Sequence, residues 1–231
     1  MGEPARAAVL VALADGRALA ASTLAAEAGV APSTLSGHMG RLVEGGLVRV
    51  EPSGRNRYYR LTGPRVAEAV EALARLAPTH PVRSLRAGTH AEAIRRARTC
   101  YDHLAGRLGV ALLDALVAEA ILVAEADPDA GPDPVLGAGR ARRYQLTGSG
   151  GDRLKRLGVT FDGTGRRPLI RYCLDWSEQR PHLGGALGAC LLRRFVDLGW
   201  VVRAERRVVR ITGPGLAALA SELHVNMVDI G

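Results

Sequence analysis

Lysine is almost missing from this chain: Lys155 stands alone among 31 basic residues in a sequence of 231. An arginine bias this complete reflects a GC-rich coding sequence more than selection for guanidinium. The formal net charge of +8 and the pI of about 10.2 still favour an acidic polymer as partner. Cysteine is scarce as well. Cys100, Cys173 and Cys190 form no Cys-x-x-Cys pair, which excludes a disulfide framework and makes a reducing cytoplasm the expected location. The N-terminal stretch lacks a basic segment followed by an apolar one, because Glu3 and Asp15 sit inside an Ala-rich amphipathic run, so no signal peptide is expected. The longest apolar run, Val110 to Ala126, is interrupted by Asp114, Glu119 and Glu125, which excludes a spanning helix and a membrane partner.

What is present is globular. Hydrophobic residues make up 47% and charged ones 23%, enough to bury a core. The length favours two domains. The stretch 79–88, with Pro81, Arg83, Arg86 and Gly88, reads as a linker between an N-terminal domain over 1–78 and a C-terminal domain over 89–231. The expected class is α+β, mainly α with short antiparallel β wings.

The most informative segment runs from Ser22 to Leu61. Ser22 offers an N-cap for a short helix to Ala28, and Gly29-Val-Ala31 supplies a turn. Pro32 starts a second helix, in which Leu35, Met39 and Leu42 recur at helical spacing. The opposite face is left to Ser33, Thr34, Ser36, Gly37, His38 and Arg41, groups that reach base edges and phosphates. Gly45-Gly46 ends that helix. Leu47–Val50 and Arg57–Leu61 then read as two strands around a turn at Gly54, carrying Arg49, Arg55, Arg57 and Arg60 against a single Glu51. The order is that of a winged helix-turn-helix.

The run from Pro32 to Val48, followed by Tyr58-Tyr-Arg-Leu61, resembles the recognition helix and wing of the ArsR/SmtB family of bacterial repressors. The resemblance covers about the first third of the chain. It implies a homodimer that binds operator DNA and releases it on sensing a metal or another signal. It places Ser36 and His38 in the major groove with Ser33, Thr34 and Arg41 beside them, and Arg55 and Arg57 on the wing. The chain departs from the family at its metal sites. The helix from Thr23 to Ala28 has no Cys-x-Cys pair, and the post-wing stretch from Pro64 to Leu76 has no histidine. Any signal must therefore enter elsewhere.

The C-terminal part repeats the outline of the first domain. Arg41-Leu-Val-Glu-Gly-Gly46-Leu is echoed by Arg194-Phe-Val-Asp-Leu-Gly199-Trp, and Arg60-Leu-Thr-Gly-Pro64 by Arg210-Ile-Thr-Gly-Pro214, with a partial third copy at Gln145-Leu-Thr-Gly148. These echoes predict a C-terminal helical domain containing a second, degenerate winged-helix-like unit, with Leu183 to Leu198 in place of the recognition helix. That helix is small and apolar and has no base-reading face. Before it, long helices are expected over His90–Leu108 and about Val110–Glu125.

Two segments concentrate reactive side chains. In Arg98-Thr-Cys100-Tyr101-Asp102-His103, the spacing places Cys100 and His103 on one helix face. The second segment, Cys173-Leu-Asp175-Trp176 to His182, adds further donors. If the two meet, Cys100, His103, Cys173 and His182 supply the thiolate and imidazole ligands that zinc or copper prefer. The same residues allow two other signals. One is a redox-sensing thiol at Cys100 or Cys173, beside Arg98 or Arg171; the other is an organic effector held by Tyr101, His103, Trp176 and His182. Cys190 reads as core.

The expected function is a non-enzymatic transcription regulator, most simply a repressor. It would bind palindromic double-stranded DNA as a homodimer under control of a signal received by the C-terminal domain. An architectural DNA-coating protein and a Cys/His-dependent enzyme are the alternatives.

Overall fold

A computed structural model describes residues 3–53, 56–77, 85–126, 142–161 and 167–230. The chain forms two compact units, Met1–Leu76 and Ala77–Gly231. The first contains α1 (Pro4–Ala12), β1 (Leu19–Ala20), α2 (Ala21–Ala28), α3 (Pro32–Glu44), β2 (Val48–Ser53), β3 (Asn56–Leu61) and α4 (Pro64–Leu76). Leu35, Met39 and Leu42 of α3 are buried with Val9, Leu10 and Leu13 of the N-terminal segment, Leu24 of α2 and Leu61 of β3. The helical apolar spacing thus sets which face of α3 points inward. Gly29 ends α2 in the left-handed region at φ +64°, and Pro32 opens α3. The turn Gly54-Arg55 lies outside the described residues.

Two details differ from expectation. Ser22 is not the cap of α2. The helix starts at Ala21 with Ala20 as its uncapped N-cap residue. The cause is β1, which pairs Leu19 with Tyr59 and Ala20 with Tyr58, giving a three-stranded antiparallel sheet in the order β1-β3-β2. A two-residue strand has too few positions to show an alternation.

The second unit runs α5 (Leu85–Arg96), β4 (Arg98–Cys100), β5 (His103–Ala105), α6 (Gly106–Ala118), β6 (Leu122–Ala126), β7 (Arg142–Leu146), α7 (Gly148–Arg156), β8 (Arg171–Leu174), β9 (Pro181–Gly184), α8 (Gly185–Asp197), β10 (Val201–Arg203), β11 (Val209–Ile211) and α9 (Gly213–Leu223). The last four residues of the expected linker already belong to α5, and 79–84 fall outside the described residues. The expected helix over 90–108 is corrected. It breaks after Arg96 into the β4–β5 hairpin, and α6 begins at Gly106. Two backbone features enforce the break. Tyr101 adopts φ +57° at the hairpin tip. Gly106 adopts φ +75°, where a Cβ would lie 2.5 Å from the Arg95 carbonyl oxygen. The second expected helix likewise stops at Ala118, and its tail becomes β6.

Strands pair antiparallel as β4-β5, β6-β7, β8-β9 and β10-β11, so short hairpins alternate with the helices, as the expected α+β class has it. Its architecture is a tandem one, each half consisting of hairpin, helix, hairpin and helix. The helix–hairpin–helix outline of α3-β2-β3-α4 returns as α6-β6-β7-α7 and again as α8-β10-β11-α9. One hydrogen-bond device accompanies all three copies. The Thr62 hydroxyl donates to the Gly46 carbonyl at 2.7 Å, Thr147 to Ala120 at 2.8 Å, and Thr212 to Gly199 at 2.7 Å. Thr147 and Thr212 also accept from the amides of Gly150 and Gly215 as N-caps of α7 and α9. The Thr-Gly echo in the sequence is this latch. α8 starts two residues later than the echo implies, because Leu183 and Gly184 are in β9.

The core of the second unit gathers Leu108, Leu112 and Leu116 of α6 with Leu187, Leu191 and Phe195 of α8, together with Ile121, Leu154, Trp200 and Leu219. Phe195 stacks on Trp200 at 5.3 Å between ring centroids. Replacing the doubly bonded latch, Thr212→Ala, is expected to destabilise the second unit by about 1–2 kcal/mol, with Thr212→Ser recovering most of it. Urea unfolding followed by Trp fluorescence measures the difference.

Candidate functional site

On α3, Ser33, Thr34, Ser36, Gly37 and Arg41 are exposed. The Ser36 hydroxyl donates back to the Pro32 carbonyl at 3.2 Å, a bond that an incoming acceptor must replace. A Cβ on Gly37 or Gly40 would meet nothing within 4 Å, so packing does not require glycine at either position. The bare backbone leaves room for close approach from outside. His38, expected in the major groove, lies less open than its neighbours on that face. It is half-buried and its Nδ1 lies 3.5 Å from the Glu3 carboxylate, which also caps α1 through the Arg6 amide. It ties α3 to the chain start.

The wing is less basic than its composition suggests. Glu51 holds Arg49 and Arg60, both at 3.0 Å, and Arg60 also donates to the Gly16 carbonyl at 2.7 Å. Both guanidiniums pull the Glu51 carboxyl below its usual range. Arg57 is exposed on the same strand. Arg55 lies outside the described residues.

In the second unit the two reactive segments form two hairpins. Cys100 pairs with His103 across β4-β5, and Cys173 pairs with His182 across β8-β9. Each hairpin thus presents one thiol and one imidazole side by side. The four potential ligand atoms all lie within 4.8 Å of one another, and the two sulfurs are 3.9 Å apart. The imidazole rings are 5.2 Å apart between centroids. Cys100, His103 and His182 are buried, whereas Cys173 is half-buried and gives the cluster its solvent-facing side.

Each imidazole has a carboxylate behind it. His103 Nδ1 is 3.3 Å from Asp102, and His182 Nδ1 is 3.4 Å from Asp175. The Nε2 atoms of both rings are buried without a hydrogen bond of acceptable geometry. Burial disfavours the charged form of His103, but the Cys100 sulfur and Asp102 outweigh it and raise His103 to about 9. Asp102 is held at about 2 against its own burial by His103 and by Arg167, whose guanidinium binds both carboxylate oxygens. Asp175 is fully buried and is no ligand of the cluster. It takes Arg98 at 2.9 Å, the Gly106 amide at 2.7 Å, and the Ser177 amide and hydroxyl. Burial opposes its ionisation, but Arg98 and His182 lower it well below the carboxylate range. Arg98 in turn lies over the Trp176 ring at 4.7 Å. This guanidinium is therefore committed to Asp175 and Trp176, contrary to the expectation that it sits beside a reactive thiolate. Tyr101 occupies the tip of the first hairpin, one residue from Cys100.

Sequence reasoning assembled the four donors but missed what supports them. The signal was present as Arg98-x-Cys100-x-Asp102 beside Arg171-x-Cys173-x-Asp175, and as His103-Leu-x-Gly106-x-Leu-Gly109 beside His182-Leu-x-Gly185-x-Leu-Gly188. The second copy holds Trp176 to Pro181 between its aspartate and its histidine, and this insertion hides the match. The glycines explain the packing. α6 lies on β9 and α8 lies on β5, so each helix covers the other half's hairpin. A Cβ on Gly109 would come 3.4 Å from the His182 Cβ, and one on Gly188 would come 3.1 Å from the His103 Cβ.

Residues 1–51 match the helix-turn-helix domain family. The chain is 36% identical over 230 residues to YdfF of Bacillus subtilis (strain 168), named as an uncharacterized HTH-type transcriptional regulator, with 98% of this chain and 95% of that protein covered. The similarity therefore runs through both units. Among the described residues no helix is long and apolar enough to cross a membrane. Arg98→Met, which strands the buried Asp175 carboxylate, is expected to cost about 3–5 kcal/mol of stability in a urea titration. A loss below about 1 kcal/mol would show that this pair does not anchor the second hairpin.

Proposed function

The chain belongs to the HTH-type transcriptional regulators, and from that premise we propose that it is a homodimeric repressor of ArsR/SmtB type, controlled by a signal received in its C-terminal unit. The observation that carries the reading is the outward face of α3. Its exposed Ser33, Thr34, Ser36 and Arg41 stand around two glycines whose missing side chains the unit's own packing does not require. Small polar groups with one arginine suit hydrogen bonding to base edges in the major groove, and Arg57 on the wing suits a phosphate. A dimer places two such helices in successive major grooves about one helical turn apart, so the operator is an imperfect palindrome. The post-wing helix α4 supports a paired state: Leu73 and Leu76 are 47% and 78% exposed, apolar surface that a second copy can cover.

Control by a signal requires that it bind the DNA-competent and DNA-incompetent states with different affinity. The C-terminal unit offers buried thiols and imidazoles for that purpose, whereas the described part of the N-terminal unit contains no cysteine.

Three variants separate the parts of this reading. Arg57→Ala is expected to weaken binding to operator and random DNA alike and to reduce the slope of log K against log salt by about one. Arg41→Ala or Ser33→Ala is expected to change which sequences are selected from a genomic fragment library, by about 1–3 kcal/mol of discrimination per lost base contact. Equal losses on every sequence for all three variants point instead to a protein that coats DNA. Sedimentation equilibrium checks the dimer, with Leu73→Glu expected to shift it toward monomer.

A further inference from the structure

We infer that Cys100, His103, Cys173 and His182 form a closed, four-coordinate site for one tetrahedral transition-metal ion of the zinc class, clamping the two halves of the C-terminal unit together. The inference goes beyond DNA regulation and stands on the second unit alone.

Donor type and count come first. Two sulfurs and two imidazole nitrogens are a complete tetrahedral set, and carboxylate, carbonyl or hydroxyl oxygen is not needed to fill it. Spacing agrees. An ion bound at about 2.3 Å to two thiolates holds their sulfurs about 3.8 Å apart, and here they stand 3.9 Å apart. The widest separation among the four donors, 4.8 Å, closes with shifts of about 1 Å or less. Charge agrees as well: two thiolates cancel a divalent ion, so the occupied centre is neutral in a place where an uncompensated charge is costly. Binding releases to solvent the protons carried by the thiols and by the His103 imidazolium and changes no oxidation state.

The surroundings are built for ligation. In the first half Asp102 is hydrogen-bonded to His103 Nδ1 at 3.3 Å, the arrangement that orients a metal-bound imidazole and leaves Nε2 to coordinate. In the second half Asp175 lies 3.4 Å from His182 Nδ1 without a hydrogen bond of acceptable geometry, and Nε2 is again assigned as the coordinating atom. Those two Nε2 atoms are buried and make no acceptable hydrogen bond within the protein, a cost that a metal bond removes. Gly184 and Gly188 keep the space around the His103 ring open, since a Cβ on either would lie within 3.4 Å of that side chain. Finally, the donors come pairwise from two hairpins far apart in sequence, so one ion closes a long loop and fixes the two halves against each other.

The test uses the full chain, purified and stripped by a chelator under anaerobic, reducing conditions. Titration with cobalt(II) is expected to saturate at one ion per chain, giving the ligand-field bands of a tetrahedral site with a sulfur-to-cobalt charge-transfer band. One equivalent of zinc(II) should bleach both. X-ray absorption at the zinc edge should then show two sulfurs at about 2.3 Å and two nitrogens at about 2.0–2.1 Å. Cys173→Ser, at the half-buried ligand, should cut the charge-transfer band by about half and lower zinc affinity by about 100-fold or more. Asp102→Asn should keep the tetrahedral spectrum while losing about 10- to 100-fold in affinity, and Cys190→Ala should retain full binding. A folded wild-type chain that takes up no cobalt, that gives the weak bands of an octahedral oxygen site, or that carries a Cys100–Cys173 disulfide after anaerobic reduction overturns the inference. So does unchanged binding in Cys173→Ser. These wild-type readings hold even if a variant fails to fold. None involves DNA, and Arg57→Ala should give the full cobalt spectrum, so loss of DNA reading and loss of the metal site are told apart.

Discussion

Close approach at two helix glycines is the constraint on which the C-terminal unit depends. Gly109 and Gly188 stand one turn inside α6 and α8, where a methyl group would press on the preceding strand's carbonyl and on the opposite half's histidine. Without that clearance neither helix can lie on the other half's hairpin. The pairing of Cys100 with His103 would then no longer face that of Cys173 with His182. The buried Arg98–Asp175 pair works in the same place. It joins β4 of the first half to the loop of the second, while Asp175 also caps the first amide of α6. Packing, capping and the donor cluster thus share one set of atoms, so a substitution at any of them is felt by the others.

The sequence carried much of this in legible form, and its failures have identifiable physical causes. The first unit follows from periodicity and punctuation: apolar spacing in α3, a left-handed Gly29 and Pro32 at a helix start each act locally, where sequence patterns are informative. The meeting of Cys100 and His103 was anticipated through the wrong geometry. Residues three apart adjoin on a helix face, but they also face each other across a two-residue hairpin turn, and the spacing alone does not distinguish the two. What decided it was positive φ at Tyr101 and Gly106, which an alanine- and arginine-rich context disguised as helix. Asp102 went unassigned and Asp175 was counted among the donors instead of behind them, because the insertion from Trp176 to Pro181 offsets one copy of the repeat from the other. The charge on the wing was overcounted, because composition cannot show that Glu51 occupies two of its arginines.

The helix–hairpin–helix scaffold serves opposite purposes in the two units, and glycine makes the contrast visible. In α3, Gly37 and Gly40 look into open space beside Ser33, Thr34 and Arg41, so their missing side chains leave a surface that an outside partner can approach closely. In α6 and α8 the glycines look into carbonyl oxygens and imidazoles, and their missing side chains are taken up by the protein itself. The threonine latch at Thr62, Thr147 and Thr212 is indifferent to this difference, since it only closes the hairpin onto the preceding helix. A repeated frame can therefore turn from presenting a polar face outward to packing an internal cluster by changing which side of its first helix is apolar. Once that helix is buried on nearly every side, as in α6, only contacts within the unit remain to be shaped.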